Sequence, residues 1–77
     1  MSQRRITEIQ RFKTITPNGE VVVVVEDISQ VLYKPLSGQH RWLDGAKSYR
    51  TEHHDPVNWI NDDEFELVRS GERLRRL

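Results

Sequence analysis

Thr16-Pro17-Asn18-Gly19-Glu20-Val21-Val22-Val23-Val24-Val25 is the stretch that decides the fold of this chain. β-branched side chains are stiff at χ1 and suit a pleated sheet better than a helix, while Pro-Asn-Gly supplies the fixed φ and the φ > 0 position of a tight reversal. The stretch predicts a β-hairpin. Pro17 cannot donate the closing hydrogen bond of a two-residue loop, which favours a type I turn with Pro17 second and Gly19 in the left-handed region as a bulge. In that register Ile15 faces Val21 and Phe12 faces Val24, and one residue of slip would exchange the faces. A strand apolar on both sides must also be covered on both. The cover has to come from a closed small barrel, a sandwich, or a second copy of the chain.

Working outward, the strand before the turn begins at about residue 6, with a bulge near Ile9. The strand after it runs from Glu20 to about Leu32 or Tyr33, and its polar stretch Glu26-Asp27-Ile28-Ser29-Gln30 marks a bend that lets one long strand serve two sides of a barrel. Lys34-Pro35-Leu36-Ser37-Gly38 is a turn, and Arg41-Trp42-Leu43 a short strand. Asp44-Gly45 reads as the next turn, followed by a strand over residues 46–51 anchored by Tyr49. His53-His54-Asp55-Pro56 breaks regular structure again.

The last third reads two ways. Asn61 with Glu64 three residues on fits a capping box, and Phe65, Leu67, Val68 and Leu74 give a helical stripe, hence a helix at about 62–70. Residues 65–69 also alternate, Ser70-Gly71 is a hairpin-type turn, and residues 72–77 make a short closing strand. Pattern alone leaves the two even.

The segment from Tyr49 to Arg76 bears on that choice. Pro56-Val57-Asn58, the acidic turn Asp62-Asp63, the strand Phe65-Glu66-Leu67-Val68 and the turn Ser70-Gly71 resemble the carboxy-terminal signature of small uncharacterised bacterial β proteins. Those chains carry a Pro-Val-Asn segment, an acidic turn, a Phe-Glu-Ile-Val-type strand and a Thr-Gly turn. The resemblance implies strands rather than a helix, and no activity comes with it. His53-His54 and Trp59 depart from the pattern. The expected fold is therefore all-β: a single small domain over residues 1–77, an antiparallel meander of about five strands curled into a small SH3-like barrel or sandwich. An α+β fold with the carboxy-terminal helix is the alternative.

The chain has 77 residues, 35% of them hydrophobic and 31% charged, with no cysteine. A domain of this size buries only about 60% of its unfolded surface, so its core is thin and oligomerisation is a natural remedy. No disulfide or thiolate metal site can staple it. The amino terminus has no apolar stretch of signal-peptide length, and five valines fall far short of a membrane span. A cytoplasmic protein without a membrane partner is expected. Twelve basic and twelve acidic residues cancel, which removes the global positive charge of a non-specific nucleic-acid binder. An acidic band from Glu52 to Glu66 is nevertheless followed by Arg69, Arg73, Arg75 and Arg76, a pattern compatible with self-association.

Catalytic constellations are scarce. His53, His54 and Asp55 are weak metal candidates, because strand neighbours point apart and metal sites gather ligands from separated positions. Asp62, Asp63, Glu64 and Glu66 lack the spacing of a calcium loop. There is no cysteine nucleophile, no serine in a nucleophile elbow and no phosphate-cradling glycine loop. The chain reads as not an enzyme, with no cofactor and no metal. Its aromatics, about one per strand, are expected to fill the core. A functional alternative puts Arg41, Trp42, Lys47, Tyr49 and Arg50 on one exposed face as a stacking platform for single-stranded nucleic acid or a proline-rich peptide. The leading expectation is a non-catalytic interaction module that binds a protein partner or itself as a homodimer. Nucleic-acid binding through those five residues is second, and a metal-dependent enzyme or sensor third.

Overall fold

The computed structural model describes residues 3–77. It is all-β: β1 (Arg4–Ile15), β2 (Val21–Tyr33), β3 (Arg41–Thr51), β4 (Pro56–Asn61), β5 (Glu64–Leu67) and β6 (Arg73–Arg76) pair antiparallel in chain order and close into a barrel through β1 and β6. The meander has six strands, not five, and the described residues contain no helix.

The opening hairpin forms in the expected register. Ile15 pairs with Val21 and Phe12 with Val24. The Gly19 amide donates to the Thr16 carbonyl at 2.9 Å, and Gly19 takes φ +85°. The Thr16 hydroxyl accepts the Glu20 amide at 3.1 Å. The same device recurs between β3 and β4, where the Thr51 hydroxyl accepts the amides of His53 and Asp55 and the His54 amide donates to the Thr51 carbonyl. There the left-handed position is filled by His54, at φ 69°. A β-carbon makes that conformation costly, so His54→Gly is expected to stabilise the fold by about 0.5–1 kcal/mol. Thermal unfolding should register a rise of about 2–8 °C; an unchanged or lower midpoint would show that the imidazole compensates its own strain.

Two bulges bend the long strands. Glu8 pairs with Asp27 and Gln10 with Glu26, so Ile9 is the extra residue of β1. On the other side of β2, Ile28 pairs with Lys47 and Gln30 with Asp44, so Gly45 and Ala46 together oppose Ser29. Asp44-Gly45 is thus not a turn, and β3 is continuous where two short strands were expected. The glycine serves a close approach instead. A Cβ at residue 45 would lie 2.8 Å from the Ser29 hydroxyl and 3.1 Å from its carbonyl oxygen, and the freed Ala46 amide bonds the Ser29 hydroxyl at 3.1 Å.

The helix alternative for residues 62–70 fails for a related reason. The Asn61 side chain does accept the amides of Asp63 and Glu64, both at 2.9 Å, as a helix cap would. Here it closes the β4–β5 reversal. Phe65 can then pair with Leu74 and point into the barrel.

The core is small and local. Val24, Val57, Phe65 and Leu74 are buried, with Phe12, Val22, Tyr49 and Leu67 packed against them. The Phe65 ring lies 5.1 Å from that of Phe12 and 5.3 Å from that of Tyr49, both tilted, a favourable aromatic geometry. Three of the six aromatics therefore build the core. Tyr33 and Trp42 do not, and Trp59 is half exposed.

The demand to cover the valines on both faces is met within the chain where the strand runs through the barrel. Val24 faces the core, and Val25, equally inaccessible, points the other way. On that outer face its register neighbours are Arg11 and Arg50, whose aliphatic stems can shield a small side chain while their heads stay wet. Val21, at the turn, stays exposed.

Candidate interaction arm

The barrel accounts for only part of the molecule. A compact chain of this length has a radius of gyration of about 11.5 Å; the observed Cα value is 15.7 Å, with extents of 55 × 21 × 20 Å. The excess comes from β1, β2 and β3, which are far longer than their partners. β6 pairs with β1 only at Thr14 and Ile15, and β4 with β3 only at Tyr49 and Arg50. Beyond those points residues 4–8, 28–33 and 41–47 form a three-stranded arm that leaves the barrel with solvent on both faces and two unpaired edges.

Period-2 alternation sorts the arm into two faces. The face continuous with the barrel interior is mixed, with Ile28, Leu32 and Trp42 beside Arg5, Thr7, Gln30 and Asp44. Gln30 accepts from Arg5 Nε (2.7 Å) and Thr7 Oγ1 (3.3 Å) and donates to Asp44 (2.7 Å). Trp42 lies on this face under the Arg5 guanidinium, 3.9 Å from the ring centroid. The opposite face carries an apolar stripe: Ile6 (74% exposed), Val31, Leu43 (43%) and Tyr33 (44%). Arg4 flanks the stripe, and Arg41 stands 5.5 Å above the Tyr33 ring.

Charged groups are gathered where arm meets barrel. Glu26 is 5% exposed; it accepts from Gln10 Nε2 at 2.8 Å and pairs with Lys47 at 3.4 Å. On the other face Asp27 accepts Arg50 Nε at 2.8 Å, and Arg50 also approaches Glu8 at 3.8 Å. Glu8 receives two bonds of 2.9 Å from Arg11, and that hydrogen bonding holds the pKa of its carboxyl below the ordinary value. Among the described residues no buried side-chain polar atom lacks a partner.

Tyr49 sits inside this junction, and burial followed by the neighbouring Glu26 charge raises its phenol pKa. Above pH 10 the unfolded chain releases this proton while the folded chain still holds it, so stability falls as pH rises from there. Tyr49→Phe removes that pH dependence. Denaturant titrations at pH 8 and pH 10.5 should show a smaller loss for the variant than for the wild type; equal losses would contradict the assignment.

The five residues considered as one basic and aromatic face are divided by the structure. Trp42, Lys47 and Tyr49 project to one side of β3 and Arg41 and Arg50 to the other. Tyr49 is in the core and Arg50 is tied to Asp27, which leaves Arg41, Trp42 and Lys47 at the surface. His53, His54 and Asp55 lie in the β3–β4 turn with His53 Nε2 3.8 Å from Glu52. No group of three or more His, Cys, Asp or Glu is placed to hold a metal ion among the described residues. An open groove of about 880 Å³ at the barrel end runs between the acidic β4–β5 reversal and Arg73 and Arg75.

Fold and surface together define the class: a small closed antiparallel barrel carrying a three-stranded β arm. No protein-family model, curated protein or solved structure matches the chain. No helix among the described residues is long and apolar enough to cross a membrane.

Proposed function

We propose that this chain is a non-catalytic interaction module that works through its arm, and that the apolar face of the arm is covered by a second copy. The observation that carries this reading is the stripe Ile6, Tyr33 and Leu43, exposed around a half-buried Val31 on a sheet that has no layer behind it. A small barrel does not need such an extension for its own core, and exposed apolar sheet surface with free edges marks an association site.

A second copy suits the face because the face is self-complementary. A two-fold placement lays the apolar stripe of one copy on that of the other, so that each copy supplies the layer its partner's sheet lacks. Three strands at about 4.8 Å spacing and five to seven residues of length give a face of about 300 Å² per copy, which places the association among weak, transient ones. A reversible dimer is the expected form.

Ile6→Thr/Leu43→Thr tests this. Threonine keeps the β-branched, strand-compatible shape while removing the apolar stripe. Sedimentation should find concentration-dependent dimers for the wild type and monomers for the variant, with unchanged far-ultraviolet circular dichroism. A wild type that stays monomeric at high concentration overturns the reading, and so does a variant that dimerises like the wild type.

A further inference from the structure

The distal end of the arm has a charge character that the rest of the molecule lacks. From Ile28 to Leu43 the sequence contains no Asp or Glu, and neither do residues 3–6 of the adjoining strand. Arg4, Arg5, Lys34 and Arg41 lie in these segments, with His40 beside them. The whole chain has twelve basic and twelve acidic residues; with Asp44, which pairs with Gln30 level with Arg5, the tip holds four basic and one acidic residue and leaves eight against eleven for the remainder. A chain of zero net charge is thereby dipolar along its 55 Å axis, with a tip of about +3 and a body of about −3.

Two of the tip arginines are held rather than loose. Arg5 stacks on Trp42 at 3.9 Å and Arg41 over Tyr33 at 5.5 Å. Stacking uses the face of the guanidinium and leaves its in-plane N–H groups pointing outward, the arrangement suited to forked contact with phosphate oxygens. Arg5 gives only Nε to Gln30. The aromatic partners fix where the donors stand, which lowers the entropy lost on binding.

We infer that the end of the arm binds nucleic acid through its phosphate backbone, with Arg5 on one face of the sheet, Arg41 on the other and Lys34 in the loop after β2 as the contacting residues. The inference goes beyond self-association, because it concerns Arg5, Lys34 and Arg41, of which Arg41 alone borders the apolar stripe, at Tyr33. Arg5 already covers the Trp42 ring, so the site is built for phosphates and not for stacking bases on that indole. The acidic body repels the same polyanion, and the field presents the arm end first. That polarity is how a chain with no net charge can bind a nucleic acid at all. Because single and double strands share the phosphate, both are expected to bind with little sequence preference.

The test is fluorescence anisotropy of labelled mixed-sequence DNA, duplex and single-stranded, titrated with the full chain at several salt concentrations. Three phosphate contacts on duplex predict a weakening of about 40-fold between 50 and 200 mM salt. Lys34→Gln/Arg41→Gln should flatten the log–log salt dependence by about two contacts. Arg75→Gln, at the other end of the molecule, should leave binding unchanged. The monomeric variant Ile6→Thr/Leu43→Thr keeps every tip cation and should still bind, so loss of self-association and loss of nucleic-acid binding are read separately. No binding of either DNA at 50 mM salt overturns the inference; so does equal weakening by Arg75→Gln and by the tip variant, which would mean attraction without a site. Saturable binding of an acidic protein with none of DNA would also reject it.

Discussion

Phe65→Ala is expected to remove about 3–5 kcal/mol of stability, the largest loss available from a single side chain in this molecule. A chain of this length has a total of about 4–12 kcal/mol, so the variant keeps at most about three quarters of it and, at the low end, none. The reason is how little else the core contains. Phe65 is 1% exposed, pairs with Leu74 across β5 and β6, and carries both aromatic contacts, to Phe12 and to Tyr49. Those contacts join β1, β3 and β6 through a single ring, so truncation opens the barrel at its seam. Thermal unfolding should register a drop of about 12–40 °C. Trp59→Ala is the control, since that ring is 52% exposed and should cost far less. Comparable losses from the two variants would mean that the barrel interior is not where the stability resides.

Arg50→Ala is the second large effect, expected at about 2–4 kcal/mol. The side chain of Asp27 is only 9% exposed, against 26% for Arg50, so removing the guanidinium strands a carboxylate that water reaches poorly. Glu8 loses a neighbour as well, and Val25 loses part of its outer cover. Much of the cost is the charge left behind, which a double-mutant cycle can isolate. Adding Asp27→Asn to Arg50→Ala should recover more than half of the loss in denaturant titrations. If the double variant is as unstable as the sum of the singles, the pair is not coupled and Arg50 acts through packing alone.

Much of this architecture is legible in the residues. The Thr16-Pro17-Asn18-Gly19 turn, its register and the bulge at Ile9 all follow from local rules, because a fixed proline φ and a left-handed glycine leave few alternatives. Asp44-Gly45 misleads for a physical reason: a glycine needed where another strand approaches closely looks, in sequence, like one needed for a turn. The Asn61 and Glu64 spacing misleads similarly, since one side-chain acceptor for two successive amides can start a helix or close a hairpin. What separates them is the pairing of Phe65 with Leu74, nine residues on, which no short window contains.

The candidate site was harder to see. Strand neighbours alternate faces, and the extra residue at Gly45 and Ala46 shifts the alternation, so Arg41 and Arg50 part from Trp42, Lys47 and Tyr49 although all five lie within ten residues. The signal for the arm is a different one. It is the acid-free stretch from Ile28 to Leu43 together with the apolar Ile6, Val31 and Leu43, and its meaning depends on strand lengths that local pattern does not supply. Only when β1, β2 and β3 prove twice as long as β4, β5 and β6 does the excess become a projecting surface.

Small-angle X-ray scattering of the monomeric Ile6→Thr/Leu43→Thr variant tests most directly whether the arm stands clear of the barrel. The account predicts an elongated particle with a radius of gyration near the 15.7 Å of the Cα trace, slightly enlarged by side chains and hydration. A value near 11.5 Å, that of a compact chain of 77 residues, would mean that the arm folds back on the barrel, and would contradict it.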